Sequence, residues 1–231
     1  MSRIKLYFLP HAGGSAMGYM CIKHFLDLDR IEPVPLELAG RGRRIAEPCF
    51  HEMEACVKDL FEQVKDDIEK SRYAFFGHSM GTLVTFELTH YIKEQGLRLP
   101  EHLFLSGRNA PSEKFPGILG FPDEEFLKYF RKLHGMPDEV VKNQELIKMI
   151  LPILRTDVEL TEKYNYREYE KLECGFSILY GKEDDLVTKE GMEKWKGFTK
   201  GECSFVPFDG KHFYYSNHRK EIAEIINQTL K

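Results

Sequence analysis

Short runs of apolar residues alternate along the chain with longer stretches in which apolar residues recur every three or four positions. The short runs are typical of buried β-strands and the longer stretches of amphipathic helices. Such alternation predicts an α/β fold, a mostly parallel sheet with helices on both faces. We place the strands at residues 4–9, 34–38, 73–76, 102–106, 176–180 and 204–207.

Helical periodicity is clearest in the stretch before the third predicted strand, where the apolar positions are Met53, Cys56, Leu60, Val64 and Ile68. These residues lie on one face of a helix because their spacing of three or four follows its 3.6-residue turn. The same spacing follows the third strand and closes the chain. The repeating residues there are Leu83, Phe86, His90, Ile222, Ile225 and Ile226.

Residues 111–169 break the alternation, because they contain no strand-like run. Two segments, 121–125 and 136–139, combine a proline with acidic residues, which suits the first turn of a helix. We therefore predict a single domain over residues 1–231 that carries a helical insertion at about 111–169. The apolar face of the insertion has two interpretations: it completes the core, or it forms a lid. Its residues are Phe126, Phe130, Leu133, Val140, Ile147, Ile150 and Leu151.

Composition excludes several classes of partner. With 231 residues, 42% of them hydrophobic, the chain can bury one full core. The net charge of -4 and the lack of a basic stripe argue against nucleic acid and anionic membranes. Arg41, Arg43 and Arg44 form the only dense basic cluster in the sequence. Five scattered cysteines without a C-x-x-C pair fit neither a disulfide framework nor a zinc site, and the first apolar run is too short for a signal peptide or membrane span. We expect a cytoplasmic protein with reduced thiols.

The segment Gly77-His78-Ser79-Met80-Gly81 matches G-x-S-x-G and lies between a predicted strand and a predicted helix. A nucleophile elbow needs this context, because the sharp turn exposes the serine hydroxyl at the end of the strand. Ser79 is therefore the candidate nucleophile. The alternative is an ordinary glycine-bracketed turn with a helix-capping serine.

A serine nucleophile needs a base, and the base needs an orienting acid. His212 lies between the last predicted strand and the last helix, and Asp184 and Asp185 follow the strand before it. The chain order Ser, Asp, His is that of α/β-hydrolases. We prefer Asp184 as the acid and keep Asp185 as the alternative. The other histidines show no metal-ligand spacing, so we expect no metal.

Acyl transfer also needs donors for the developing oxyanion. The amide of Met80, which follows the nucleophile, is one candidate. The second comes from the glycine-rich loop after the first strand, where we prefer Ala12 and keep Gly13 as its neighbour. The alternative is a simple turn or a phosphate-binding loop, although the chain lacks the G-x-x-x-x-G-K-[ST] and G-x-G-x-x-G patterns.

Several segments in chain order resemble one family, the type II (external) thioesterases that accompany nonribosomal peptide and polyketide synthetases. Two substitutions depart from its pattern: Ala39 stands in place of a proline, and Thr82 where another glycine is common. The segments are LPHAGGS (9–15), LAGRG (38–42), GHSMG (77–81), LHGMP (133–137), LPILRTD (151–157) and DGKHF (209–213).

The resemblance implies an α/β-hydrolase fold and hydrolysis of acyl groups from the phosphopantetheine arm of acyl or peptidyl carrier proteins. Ser79 would be the nucleophile, His212 the base and then the acid, and Asp184 the residue that holds the histidine tautomer. The resemblance further implies a monomer that needs no cofactor, with a lid over an acyl groove near Ser79, for which Gly135 offers a hinge. If the Arg41–Arg44 loop lies at the groove, it would steer acidic carriers.

Three alternatives stay open at this point. Two share the chemistry: a carboxylesterase and a thioesterase that acts on free acyl-coenzyme A. The third is a noncatalytic binding module on the same fold. The presence of all three of Ser79, Asp184 and His212 argues against the binding module, because a receptor has no need of them.

Overall fold

A computed structural model describes residues 3–115, 117–133, 140 and 143–231 of the chain. Its described part contains a six-stranded sheet in the order β2-β1-β3-β4-β5-β6, in which every neighbouring pair is parallel. The predicted mostly parallel α/β architecture is therefore confirmed. The strands are β1 (Ile4–Leu9), β2 (Ile31–Pro35), β3 (Tyr73–His78), β4 (His102–Ser106), β5 (Gly175–Gly181) and β6 (Cys203–Phe208).

Five of the six predicted strands agree with the structure to within two residues at either end, whereas the second is wrong. We placed it at 34–38, but β2 spans Ile31–Pro35. This strand lies at the edge of the sheet and pairs only with β1, so Pro33 and Pro35 are tolerated although neither has an N–H group. Leu36 and Leu38 are buried in the loop that follows, which explains why their hydrophobicity suggested a strand.

Two layers of helices cover the sheet. On β1, Tyr7 and Leu9 belong to the apolar cluster shared with α1 and α2, whereas Leu6 and Phe8 belong to the cluster on the opposite face with α6. This division follows from the alternation of side chains along a strand. The helices are α1 (Met53–Ile68), α2 (Met80–Glu94), α3 (Asp123–Lys132), α4 (Gln144–Glu162), α5 (Lys189–Glu193) and α6 (Arg219–Thr229). Within the described ranges, no helix is both long and apolar enough to cross a membrane.

The predicted insertion between β4 and β5 contains α3 and α4, and its described residues form no strand. The two helices build an apolar cluster of their own around Phe126, Phe130 and Leu154, and Ala12 and Phe213 pack against this cluster. The second predicted helix start at 136–139, and the proposed hinge Gly135, lie outside the described residues. The insertion is thus a separate small core on top of two loops that follow strands.

The strand order places a crevice at one point of the sheet. From β1 the chain moves to β2 on one side, and it then returns to β3 on the other side. In open α/β sheets, ligands bind at such a switch point, outside the carboxyl ends of the strands. The loop after β1 and the turn after β3 meet there.

Candidate active site

Ser79 sits in a strained turn between β3 and α2. Its backbone angles are φ 56° and ψ −113°, and it is the one non-glycine residue with positive φ in the described part of the chain. A Cβ at Gly77 would lie 2.3 Å from the Gly81 carbonyl oxygen, and one at Gly81 would lie 2.3 Å from the Leu9 carbonyl oxygen. Both glycines are therefore required by close backbone approach. The Ser79 side chain makes no capping hydrogen bond, so the capping-serine alternative does not describe this turn.

The structure brings His212 and Asp184 together. The Nδ1 atom of His212 lies 2.8 Å from Oδ2 of Asp184, and both side chains are almost fully buried. The other Asp184 oxygen accepts the Leu186 N–H at 2.9 Å, which fixes the carboxylate plane. The neighbouring Asp185 side chain is 65% exposed and lies 4.0 Å from Lys132. Geometry thus distinguishes the two aspartates, because only Asp184 contacts the histidine.

His212 also lies next to the elbow. Its ring centroid is 5.0 Å from that of His78, the residue before Ser79. A Cβ at Gly107 would lie 2.7 Å from Cε1 of His78 and 3.3 Å from Cε1 of His212. Ser79 and His212 make no hydrogen bond to each other in the described structure. Such contacts are often long before substrate binds and tighten in the complex.

The His78 ring is held next to Ser79 by one hydrogen bond. Its Nδ1 atom lies 2.8 Å from Oγ of Ser106, which in turn lies 2.5 Å from the Tyr214 hydroxyl. Burial lowers the pKa of His78 well below its usual value and that of His11 to about 3. Both rings are therefore neutral at pH 7 and add no positive charge beside His212. These contacts indicate a positional role for His78.

Two backbone amides are the candidate donors for the oxyanion. Met80 is the first residue of α2, where backbone N–H groups have no partner within the helix. Neither the Met80 amide nor the Ala12 amide donates a hydrogen bond to another described residue. The Gly13 amide donates to Oδ2 of Asp157 at 2.7 Å. Of the two neighbours considered in this loop, Ala12 therefore has the available donor and Gly13 does not.

Comparisons with known proteins agree with this geometry. The profile of a family described as "Thioesterase domain" matches residues 4–230. The chain belongs to the thioesterase family. A relative from Brevibacillus parabrevis, named linear gramicidin dehydrogenase LgrE, is 36% identical, and the match covers 100% of this chain and 89% of the relative.

Two solved structures extend the match. ClbQ from the colibactin NRPS/PKS pathway superposes with a TM-score of 0.93 at 35% identity, over 99% of this chain and 97% of ClbQ. BorB, a type II thioesterase from the borrelidin biosynthetic cluster, gives 0.90 at 33% identity, over 100% and 94%. The predicted resemblance to type II thioesterases, the α/β-hydrolase fold and thioester hydrolysis are confirmed. Although LgrE is named a dehydrogenase, this chain has no G-x-G-x-x-G dinucleotide fingerprint.

The basic loop of this thioesterase differs from the expectation that its three arginines face a partner. Arg41 is only 4% exposed and pairs with Asp157 through two hydrogen bonds of 2.6 and 2.7 Å. Arg44 is held by Asp59 and Glu47. Arg43 remains exposed. The expectation is therefore wrong for Arg41, because its guanidinium is part of the interior of the thioesterase.

The sequence did not show the contacts of three buried residues, Arg41, Asp157 and Arg108. Asp157 and Arg41 lie in segments that carried the family resemblance, but nothing in their spacing showed that they pair. Arg108 is 8% exposed, lies over the Phe115 ring at 5.4 Å, and makes no ion pair with the described residues. Burial lowers its pKa to about 10. Arg108 lines a crevice of about 20 Å³ with Gly107 and Leu186, and the Leu186 N–H donates to Asp184.

A larger cavity of about 350 Å³ lies elsewhere on the thioesterase. It is lined by the start of α1, the second half of α2 and the end of α4, and its residues include Glu87, Tyr91 and Tyr164. None of the triad or oxyanion-loop residues lines it. This cavity is therefore distinct from the acyl groove that we predicted near Ser79.

Proposed function

We propose that this thioesterase uses Ser79, His212 and Asp184 to hydrolyse acyl groups from the phosphopantetheine arm of carrier proteins. The observation that supports the mechanism best is the buried His212–Asp184 pair beside a strained serine whose side chain makes no capping bond. That arrangement supplies a nucleophile after β3 and an oriented base after β6, at the same edge of the parallel sheet.

In the first half of the reaction, Ser79 Oγ attacks the thioester carbonyl carbon while Nε2 of His212 takes the hydroxyl proton. The tetrahedral oxyanion is stabilised by the Met80 and Ala12 amides. The carbon–sulfur bond then breaks, and His212 passes its proton to the departing thiol. Asp184 keeps the Nδ1–H tautomer throughout and stabilises the imidazolium.

In the second half, His212 takes a proton from water, and the resulting hydroxide attacks the acyl-serine carbonyl. The carbon–oxygen bond to Ser79 breaks, the serine recovers its proton from His212, and a free acid leaves. The chain's own side chains and backbone amides, together with water, supply every group in this cycle. We therefore propose that it needs no cofactor, and that it acts as a monomer, which light scattering would check.

The carrier protein as partner is supported by the setting of the related proteins, since ClbQ and BorB come from an NRPS/PKS pathway and a biosynthetic cluster. Arg43 is the exposed cation of the basic loop. An exposed charge of this kind acts mainly on the rate of association and weakens with salt. We propose that Arg43 attracts acidic carrier surfaces.

The test compares one acyl group on a carrier protein, on coenzyme A and in an oxygen ester. We expect the highest kcat/KM for the carrier thioester, with activity lost in Ser79→Ala. Arg43→Glu should raise KM for the carrier at low salt and leave the coenzyme A thioester unchanged. Lys220→Glu, a charge reversal at an exposed position on α6, is the matched control. Equal kcat/KM for carrier and coenzyme A would favour a free-thioester hydrolase, and a preference for the oxygen ester would favour a carboxylesterase.

A further inference from the structure

The loop after β1 is attached to helix α4 of the insertion at two points. The Asp157 carboxylate of α4, 2% exposed, accepts the Gly13 N–H at 2.7 Å. One turn earlier on the same helix, Leu154 packs so closely that a Cβ at Gly13 would lie 2.9 Å from its Cδ1 atom. The position of α4 and the position of this loop are therefore linked through Gly13.

The attachment fixes the peptide plane next to the proposed oxyanion donor. The Gly14 N–H donates to the His11 carbonyl oxygen at 3.0 Å, and Gly13 has φ +73°, the left-handed region that the third residue of a type II turn occupies. The His11 carbonyl holds the plane before Ala12, and the Gly13 N–H holds the plane after it. Because peptide units are rigid, these two bonds together set the direction of the Ala12 amide.

The carboxylate that holds Gly13 is paired with the Arg41 guanidinium. Its two oxygens accept from the guanidinium at 2.6 and 2.7 Å. Burial alone would lower the pKa of Arg41, but the charge of Asp157 and its hydrogen bonds more than offset this, and the pKa is raised. Because Asp157 forms an ion pair with Arg41, its bond from the Gly13 amide is charge-assisted, which makes that bond stronger than a neutral one.

We propose that Asp157 is a positioning residue that couples helix α4 to the oxyanion loop, by holding the Gly13 peptide so that the Ala12 amide points at the oxyanion. The proposal rests on the proposed function, because the direction of the Ala12 amide matters only if Ser79 forms a tetrahedral intermediate. It also means that any shift of α4 changes the strength of oxyanion stabilisation. Substrates whose binding keeps α4 in the position that holds the Gly13 peptide are then turned over faster.

The first variant to test is Asp157→Asn, which keeps the shape of the side chain but removes its charge. Asp123→Asn is the matched control: Asp123 is 66% exposed and pairs with Arg155 of α4, so the variant removes the same charge from an ion pair of α4 without touching the loop. We expect Asp157→Asn to lower kcat about 10- to 100-fold with KM changed less than about twofold, somewhat less than the loss of a whole oxyanion donor. The control should stay close to wild type.

A second measurement separates positioning from general stabilisation. A trifluoromethyl ketone analogue of the substrate forms a tetrahedral oxyanion on the serine, whereas a thioether analogue only occupies the site. If Asp157 positions the Ala12 amide, the ketone should lose affinity by about the factor by which kcat/KM falls, since both report transition-state binding. The thioether should bind unchanged. Equal losses for both analogues would overturn the proposal.

Folding is controlled by a double variant. If Asp157→Asn does not fold, Arg41→Met with Asp157→Leu removes both buried charges and often preserves stability, while it still deprives Gly13 of its acceptor. A folded variant of either kind with kcat within about twofold of wild type overturns the positioning role.

Labelling of wild-type Ser79 by a fluorophosphonate distinguishes failure of the positioning role from failure of the proposed function. If Ser79 is labelled but Asp157 variants are fully active, only the positioning role fails; if Ser79 is not labelled and Ser79→Ala is active, the proposed function fails as well.

Discussion

Asparagine at position 184 should inactivate the enzyme through the histidine tautomer, and the structure shows why. One Asp184 oxygen accepts the Leu186 N–H at 2.9 Å and the other lies 2.8 Å from Nδ1 of His212. In Asp184→Asn, the amide oxygen takes the place facing Leu186, because the amide nitrogen cannot accept that bond. The NH₂ group then faces His212 and donates to Nδ1. The histidine must carry its proton on Nε2, where it cannot take the proton of Ser79.

The size of the effect follows from this assignment. A triad with the wrong tautomer loses about 10⁴-fold in kcat in the serine protease case, which corresponds to about 5.5 kcal/mol at about 1.4 kcal/mol per factor of ten. The asparagine could instead rotate so that its oxygen accepts from His212. Its NH₂ group would then face the Leu186 N–H, so that two donors meet, which lowers the free energy of unfolding by about 1 to 3 kcal/mol. Asp185→Asn should leave kcat close to wild type and change the free energy of unfolding by no more than about 0.5 kcal/mol, because the Asp185 side chain is 65% exposed.

The assay is release of thiol from an acyl-N-acetylcysteamine thioester, with kcat and KM measured for both variants and thermal melts as the control for folding. KM should change little in Asp184→Asn, since the carboxylate does not touch the substrate in the proposed mechanism. Equal losses in both aspartate variants would refute the assignment. So would an Asp184→Asn enzyme that keeps more than about a tenth of wild-type kcat.

Three further expectations follow from the same structure. Ser79→Ala and His212→Ala should each remove most turnover, and the double variant should be little worse than either, because the two side chains act as a unit; additive losses in single-turnover rates would contradict this. Burial lowers the pKa of His90 to about 3. Below about pH 6.5, His90 is therefore protonated in the unfolded chain but stays neutral in the folded one, so the free energy of unfolding falls as pH drops towards 3. Urea titrations should show that His90→Phe makes the slope of unfolding free energy against pH shallower by about 1.4 kcal/mol per unit between pH 6 and 4, and an unchanged slope would contradict this. Phe126→Ala should lower the free energy of unfolding by about 3 to 5 kcal/mol in thermal melts, because Phe126 is fully buried. Ile150→Ser, at the partly buried edge of the same cluster, should instead change the chain-length preference in a C2 to C12 acyl series. If both variants are destabilised and neither changes the chain-length preference, the core interpretation is favoured over the lid.

The sequence was sufficient to predict the sheet because each of its strands is a short apolar run bounded by breakers. The exception was β2, where two prolines and a glutamate interrupt the apolar pattern, which is tolerated because this strand pairs on one side only. The residues of the candidate triad could be located for a similar reason. In a parallel sheet the carboxyl ends of all strands meet at one edge, so the residue after each strand is a candidate whatever its distance along the chain.

The support of the oxyanion loop could not be predicted in this way. Gly13 and Asp157 are 144 positions apart, and Arg41 and Asp157 are 116 apart. Asp157 is in the middle of a helix rather than after a strand, so the rule that located Ser79 and His212 does not apply to it. Periodicity shows which face of α4 is buried, but it does not show which loop lies under that face. The pairing depends on how the insertion is placed, which is a property of the tertiary structure.

Thr82 shows how a departure from the family pattern can be accommodated at the elbow. Backbone strain of the kind found at Ser79 costs about 1 to 3 kcal/mol and persists only when neighbouring contacts hold it. The Thr82 hydroxyl lies 2.8 Å from both the Gly77 and the Ser106 carbonyl oxygens and accepts the Ser106 N–H at 3.0 Å. It donates its single proton to one of these carbonyls, so it ties the strand before Ser79 to β4. The Ser79 N–H donates to the same Ser106 carbonyl at 2.8 Å. A glycine at position 82 would make none of the hydroxyl contacts, so in this chain the threonine helps to stabilise the turn that presents Ser79.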